Sequence, residues 1–599
     1  KLTERCEERG IRCIGPNCLG VISPPDNLNA SFSATMPEAG NIGLLSQSGA
    51  LGTAVLDWFI GGEAKGLGIS RFISYGNKAD VDESDLIRAL GEDDETEVIL
   101  AYVESIDDGQ KFMDVAREVT PKKPVIIFKS GRTSAGAEAA SSHTGSLAGS
   151  DKAYDAAFRQ CGVLRAESAA EFFDYIIAFS RQKPPAGSSV AVVTNAGGPG
   201  IMATDAIEST HLHMASFSDA TTQQLEDNLP AESNTHNPVD VIGDAKADRY
   251  KTAIDAVLCS DNVDSLITIL TPQTSTEIEE TARALGTASA GTDKPVLGSF
   301  MGGRCAEVGG EALREQGVPN FPHPERAVHV LNGMYRYSSR GQKVTEAPPE
   351  FDFDNAAIER ALEDAAEKNM TELGERQAQK VIGSAGLRLP ETILAPDADA
   401  AVEAAIEVGF PVVMKVSSDD ILHKSDAGGV EVGLENEEQV RRAFEEIMEG
   451  ARAYEPNAEI DGVLVQEMIT GGSEVIVGMN RDPQFGPLIM FGLGGIYVEV
   501  LKDVAFRVAP LTRSDAAEMI DEIKTSKILK GFRGQEPRDL DALQDAILRL
   551  SQLSVQYPQL AECDMNPLLV FAEGEGVAAL DARFRLEHVE PDEPAKQLS

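Results

Sequence analysis

Ile42-Gly43-Leu44-Leu45-Ser46-Gln47-Ser48-Gly49 is a short apolar run that closes on small polar residues and opens a small-residue helix, Ala50–Ile60. This is how a strand of a parallel sheet delivers its chain to a helix start. Further strands are expected at Arg71–Tyr75, Val98–Val103 and Val125–Phe128, with amphipathic helices between them. Alternation of that kind predicts a helix-covered parallel sheet. After Lys183-Pro184-Pro185-Ala186-Gly187 the pattern restarts: Val190–Val193 leads into Asn195-Ala196-Gly197-Gly198-Pro199-Gly200 and a helix from Ile201, and strands follow at Ser265–Leu270 and Pro295–Phe300. Two similar α/β units, 37–182 and 188–345, are expected. Glu346–Asp354, with Pro348 and Pro349, reads as a linker.

Residues 355–599 read differently, as α+β with an antiparallel sheet. Helices are expected over Asn355–Lys368 and Thr371–Ser384. Strands are expected at Val412–Val416, Gly429–Leu434, Gly462–Gln466, Glu474–Met479, Leu488–Phe491, Leu568–Phe571 and Val577–Leu580, with a tight turn at Gly492-Leu493-Gly494-Gly495. Residues 1–35 look like the tail of another domain: a helix near Leu2–Glu8, a strand at Ile11–Ile14, then Gly15-Pro16-Asn17-Cys18. Lys1 lies inside a helix-like segment, so the sequence is expected to begin within a longer product.

The 599 residues carry a net charge of −44, from 97 acidic and 53 basic residues. Such a balance repels a phosphate backbone or an anionic membrane, and no apolar stretch approaches the ~20 residues of a membrane span. Neither nucleic acid nor membrane is an expected partner. Two readings fit the charge: an ordinary acidic protein, and adaptation to high salt, where repulsion is screened. The even spread of acid along the chain favours the second. The 7 cysteines form no C-x-x-C pair. They read as reduced thiols in a cytoplasm, most of them small buried apolar groups.

Two of the 8 histidines sit in small, polar, glycine-flanked loops: Ser141-Ser142-His143-Thr144-Gly145 and His423-Lys424-Ser425-Asp426-Ala427-Gly428-Gly429. A neutral imidazole accepts and returns a phosphoryl group readily. The loop Ser46-Gln47-Ser48-Gly49 offers helix N-terminal N–H groups and two hydroxyls to an anion, and Asn195, Gly197 and Gly198 repeat the arrangement. Two such helix starts converging on one phosphoryl group would offset its ~−1.5 to −2 charge without basic residues. Glu104 ends a strand at the carboxyl edge, where open α/β sheets bind ligands; there it can accept a histidine Nδ1–H and leave Nε2 as nucleophile. The other histidines read as structural.

Gly15-Pro16-Asn17-Cys18-Leu19-Gly20, Ser46-Gln47-Ser48-Gly49, Glu104 in Tyr-Val-Glu-Ser, and His143 in Ser-His-Thr-Gly-Ser together resemble the α part of succinyl-CoA synthetases. Asn195–Gly200 with Asn237-Pro238-Val239-Asp240 resembles the second phosphate-capping domain, and 355–599 resembles an ATP-grasp domain. The order of units, with the His423 loop, is similar to the single-chain ADP-forming acetyl-CoA synthetases (acetate–CoA ligases) of archaea. The resemblance implies two flavodoxin-like parallel-sheet domains of succinyl-CoA-ligase type, then an ATP-grasp domain. Residues 1–35 would be the remnant of a Rossmann-like CoA-binding domain, with Asn17 and Cys18 on CoA. It implies an enzyme converting acyl-CoA, ADP and phosphate into free acid, CoA and ATP. His143 would carry the phosphoryl group, Glu104 would orient it, and His423 would relay it. Lys415, Lys424, Glu467 and Glu474 would bind ATP or ADP, and Asn566 and Asp581 would bind Mg²⁺. Asp564 stands where the synthetases place a second carboxylate, one methylene longer there. A cytoplasmic homodimer acting on small molecules is expected. Two alternatives stay open: a non-catalytic acyl-CoA or nucleotide sensor related to lysine acetyltransferase fusions, and a succinyl-type ligase.

Overall fold

A computed structural model describes residues 2–61, 64, 66–133, 150–340, 346–418, 420–421, 424, 427–494, 503–534 and 536–587. The chain divides into two compact units, Lys1–Thr345 and Glu346–Ser599.

In the first unit, β1 (Gly20–Ser23), β2 (Leu28–Ser31), β3 (Ala39–Ser46), β4 (Ile69–Ser74), β5 (Val98–Val103), β6 (Val125–Lys129) and β7 (Leu164–Ala166) form one sheet in the order β2-β1-β4-β3-β5-β6-β7. Strands β3 to β7 run parallel. Ile99, Leu100, Ala101 and Val103 of β5 are all fully buried. A strand covered by helices on both faces reads as a continuous apolar run, which is why β5 was legible. The sheet begins at Gly20 rather than at residue 37, because the β1–β2 hairpin pairs antiparallel with β4. That hairpin occupies the sheet edge, and the strand expected at Ile11–Ile14 is absent. This segment instead borders the loop after β4, with Val81 N donating to Cys13 O (3.2 Å) and Ala79 N to Gly15 O (2.9 Å).

The second sheet joins β8 (Ser189–Thr194), β9 (His213–Met214), β10 (Val239–Asp240), β11 (Ser265–Leu270) and β12 (Val296–Phe300). The order is β10-β8-β11-β12, with β9 on β8, and every pairing is parallel. Both sheets share a core. Tyr175 and Ile176 of the Ala169–Phe179 helix pack in one cluster with Val328, Leu331 and Met334 of the Pro324–Arg340 helix and with Ile207 behind β8. The helices approach so closely that a Cβ on Gly333 would stand 2.3 Å from the Tyr175 ring. Arg326 forks onto the buried carboxylate of Asp174 in the same seam.

The second unit holds two antiparallel sheets, not the single one expected. β13 (Thr392–Ala395), β14 (Val412–Ser417), β15 (Val430–Leu434) and β16 (Gly462–Glu467) are ordered β13-β16-β14-β15. β17 (Ser473–Asp482), β18 (Gly486–Leu493), β19 (Val504–Val508), β20 (Leu560–Val570) and β21 (Val577–Ala579) are ordered β19-β18-β17-β20-β21, with β22 (Arg583–Leu586) on β20. The break lies at Gly471 and Gly472, whose φ of 86° and 78° suit glycine and turn the chain from one sheet to the other. β20 starts well before Leu568 because buried Ala561, Cys563 and Met565 alternate with Glu562, Asp564 and Asn566 on the other face. Gly492 and Leu493 belong to β18 rather than to a turn, and Gly495 lies outside the described residues. The expected linker is anchored to the second unit: the Gln552 side-chain amide accepts the Phe351 N–H and donates to the Phe351 carbonyl (2.8 Å each), and Arg549 covers the Phe351 ring. Of the seven cysteines, all unpaired, only Cys161 and Cys563 are buried; Cys259 and Cys305 are exposed on helix ends, against the expectation that most lie inside.

Lys129, the last residue of β6, is 5% exposed, with its Nζ 4.5 Å above the Tyr154 ring and donating to the Ser130 carbonyl. Burial pushes its ammonium down to about 8. Between that value and 10.5 the unfolded chain binds a proton that the folded chain lacks, so stability rises with pH across this window. Lys129→Met should raise the unfolding free energy at pH 7 by about 3 kcal/mol and abolish the rise. Urea denaturation of both proteins at pH 7 and pH 10 checks this; an unchanged pH slope in the variant would be the contrary result.

Candidate active site

At the carboxyl edge of the first sheet lies a cavity of about 440 Å³ bordered by Asn17, Cys18, Gln47, Ser48, Gly49, Lys78, Glu104 and Ser105. The Ser48 hydroxyl caps the Gly49–Ile60 helix by accepting the Leu51 N–H (3.3 Å). The Ser46 hydroxyl, 1% exposed, donates to the Ser48 carbonyl (2.6 Å). The Ser46 proton is thus spent on the main chain, against expectation, whereas Ser48, which only accepts, keeps its O–H to donate towards the cavity it borders. The loop also offers main chain: the first N–H groups of a helix lack intrahelical acceptors, and Gly49 and Ala50 border the cavity.

Gln47 does other work. Its Oε1 accepts the N–H groups of Glu104 (2.7 Å) and Ser105 (3.1 Å), and its Nε2 reaches Ser105 Oγ (3.4 Å). The side chain of Gln47 thus fixes the main chain that carries Glu104. Asn17, at φ 55°, donates from Nδ2 to Asn77 Oδ1 (3.1 Å). Gly76 passes so near that a Cβ there would meet Asn17 O at 2.3 Å.

Lys78 escaped the motif reading. Its side chain is 3% exposed, at φ 40°, and its Nζ donates to Ser105 O (2.7 Å) and pairs with the buried Glu83 (3.0 Å). A non-glycine residue held in the left-handed region costs on the order of 1–3 kcal/mol and clusters at functional sites. Nothing in periodicity marks such a residue; only the Gly76-Asn77 pair before it hints at a turn. His143 lies in 134–149, outside the described residues.

The second loop repeats the first in its own way. Asn195, 2% exposed, accepts at Oδ1 from Thr271 N (2.9 Å) and Oγ1 (3.1 Å), and donates from Nδ2 to Thr271 O (2.8 Å). Its amide faces inward onto Thr271, whereas it had been expected to face an anion. The Gly197–Glu208 helix has no side-chain cap, and Gly197 and Gly198 are exposed at its start. The cavity at Glu104 is not lined by these residues, so the expected convergence of two helix starts is not seen there.

In the second unit, a cavity of about 470 Å³ gathers Lys415 and Lys424 with Asp564 and Asp581. Glu375, which carried no motif signal, accepts from both lysines. Burial raises the carboxyl of Asp564, and the charges of Asp581 and Glu562 add to this against Arg583. Carboxylates gathered in a cleft lined by lysines suit a divalent cation bridging phosphates. Asp581 lies between β21 and β22, just past the end of β21. Asn566 sits within β20, exposed on the face that Asp564 shares, and does not line the cavity. Glu467 does end β16, where Oε2 accepts Glu391 N (3.4 Å) and Oε1 faces Arg388 (3.8 Å). Glu474 is exposed on β17, opposite Leu569. Neither glutamate lines the cavity. His423 lies outside the described residues, and among those described no group of three or more His, Cys, Asp and Glu is placed to hold a metal.

Three family models match in succession: a succinyl-CoA ligase like flavodoxin domain over residues 39–179, a ligase-CoA domain over 190–345 and an ATP-grasp domain over 364–586. An ADP-forming acetate–CoA ligase of Archaeoglobus fulgidus is 44% identical over 587 residues, spanning 96% of this chain and 82% of that one. An ADP-forming 4-hydroxybutyrate–CoA ligase of Nitrosopumilus maritimus is 40% identical over 96% of this chain and 82% of its own. An acetyl-coenzyme A synthetase of Ca. Korarchaeum cryptofilum, solved with phosphate and ADP, superposes with a TM-score of 0.55 at 35% identity, over 57% of this chain and 74% of that one. With the same units in the same order and such identity across nearly the whole chain, this protein belongs to the ADP-forming acetate–CoA ligases, enzymes that join acids to CoA.

Proposed function

We propose that the protein interconverts acetyl-CoA or a related acyl-CoA, ADP and phosphate with the free acid, CoA and ATP, through a phosphohistidine. Phosphate attacks the thioester carbonyl, and the C–S bond breaks to release CoA thiolate and leave an acyl phosphate. His143 Nε2 then attacks phosphorus, and the acid departs as carboxylate. The phosphoryl group passes to His423 and on to a β-phosphate oxygen of ADP, returning both imidazoles to their starting state. Carrying this reading is Glu104, whose main-chain N–H Gln47 holds beside a helix start, in a cavity that Asn17 and Cys18 border and where CoA would enter. Lys415 and Lys424 would take the nucleotide phosphates, with Glu467 and Glu474 towards the base and ribose. Asp581 and Asn566 would hold Mg²⁺, which when bound neutralises phosphate charge. Asp564 would receive the phosphohistidine near the nucleotide.

His143→Ala should abolish protein labelling by acyl-CoA with radioactive phosphate, and Glu104→Gln should slow it by about 100-fold. His423→Ala should be labelled normally yet make no ATP. Full labelling of the His143 variant, or normal ATP synthesis by the His423 variant, defeats the relay.

The acid excess is read as adaptation to high salt. The thermal midpoint should climb steadily between 0.1 and 2 M KCl, as the screening length falls from about 10 Å to below 3 Å; a flat response would contradict this. The seven unpaired cysteines support a reducing, cytoplasmic setting. Assembly as a homodimer would give sedimentation at twice 63.9 kDa, and a species of 63.9 kDa at micromolar concentration would refute it.

A further inference from the structure

Glu375 is the first residue of the Glu375–Ser384 helix, and its side chain is 8% exposed. Its two oxygens serve different ammoniums: Oε1 accepts from Lys415 Nζ at 3.3 Å and Oε2 from Lys424 Nζ. The helix beneath it is anchored. Ala378, Val381 and Ile382 lie in the core, and Gln377 Oε1 accepts the Gly374 N–H at 3.1 Å. The lysines arrive from separate places, Lys415 from within β14 and Lys424 from the turn that Gly429 N closes onto Lys424 O (2.7 Å). That turn lies against β14, since a Cβ on Gly429 would stand 2.6 Å from Val416 Cγ1.

Two ammoniums drawn together in a half-buried cleft repel, and each lowers the other's affinity for its proton. A carboxylate shared between them removes that cost. Burial opposes the charge on Glu375, yet the two lysines hold its carboxyl below the ordinary value. Each ammonium has three N–H donors, so one spent on Glu375 leaves two for a ligand. The other charged groups bordering the cavity are Glu372, Glu562, Asp564, Asp581, Arg583 and Arg585.

We infer that Glu375 is a positioning residue for the phosphate chain of a nucleoside diphosphate, holding Lys415 and Lys424 together as a fixed pair. The inference rests on the cleft being the nucleotide site. The opposite role, a carboxylate that occupies the phosphate position and must vacate it, predicts the opposite sign. An acid fixed to an anchored helix start has no ready way to vacate.

The test is ADP binding with Mg²⁺ by titration calorimetry on the full chain, from pH 7 to 9.5. Glu375→Gln should weaken ADP binding at least tenfold at pH 7.5 and a further tenfold by pH 9.5, whereas the wild type stays level. In a Lys424→Gln background the same change should cost less than twofold, because it acts through the lysine. Glu375→Asp should recover part of the affinity and the level profile; if Glu375→Gln fails to fold, Glu375→Asp carries the test through the same pH series. Unchanged or tighter binding in Glu375→Gln overturns the inference alone. So does weaker binding with a wild-type pH profile and full additivity with Lys424→Gln. A wild type that binds no ADP overturns the inference and the nucleotide reading together.

Discussion

In each α/β unit, one side-chain amide placed just past the end of a central strand ties that end to its neighbour. Gln47 follows β3 and receives the N–H groups after β5; Asn195 follows β8 and exchanges bonds with Thr271 after β11. Parallel strands converge their carboxyl ends on the ligand edge, but the loops there have no ladder to hold them. A neutral amide both donates and accepts, so it satisfies buried main-chain groups at modest desolvation cost, where a charged residue would need a partner. The orientation of Glu104 and the shape of the first cavity both depend on that tie.

Charge is handled by a second rule. Several interior ions have their opposite within reach: Lys78 with Glu83, Arg326 with Asp174, Glu375 with two lysines. Lys129 departs from this, resting on an aromatic face and a carbonyl with no carboxylate at bonding distance among its described partners. Removing one member of a buried pair costs far more than the pair contributes. These residues are therefore sensitive positions even where they touch no substrate.

The parallel strands were legible because double burial writes them as unbroken apolar runs, as in β5 and β11. The ends of β20 were not, because Glu562, Asp564 and Asn566 alternate with its buried face and read as loop. The hairpin β1–β2 was hidden for a similar reason: Leu28, Asn29 and Ala30 are exposed on an edge and carry no apolar pattern. At the site, residues with motif character (Glu104, Lys415, Lys424, Asp564, Asp581) were found and do line the two cavities. Ser46 and Asn195 were read as ligand donors when their polar atoms are spent on the fold. Motif spacing records that a polar group is needed but not which way it points. Lys78 and Glu375 were missed because their partners lie in other elements, and sequence separation conceals such pairs.

The seam around Gly333 and Tyr175 has a consequence for how such a chain can be divided. The Pro324–Arg340 helix closes a core contributed by both α/β units, so a backbone cut near Gly187 would leave each half with an open apolar wall. Each hydrophobic cluster of the described residues falls on one side of a cut just before Glu346. Division at that joint would therefore cost the packing less than division between the two α/β units, whose shared core makes them one folding piece.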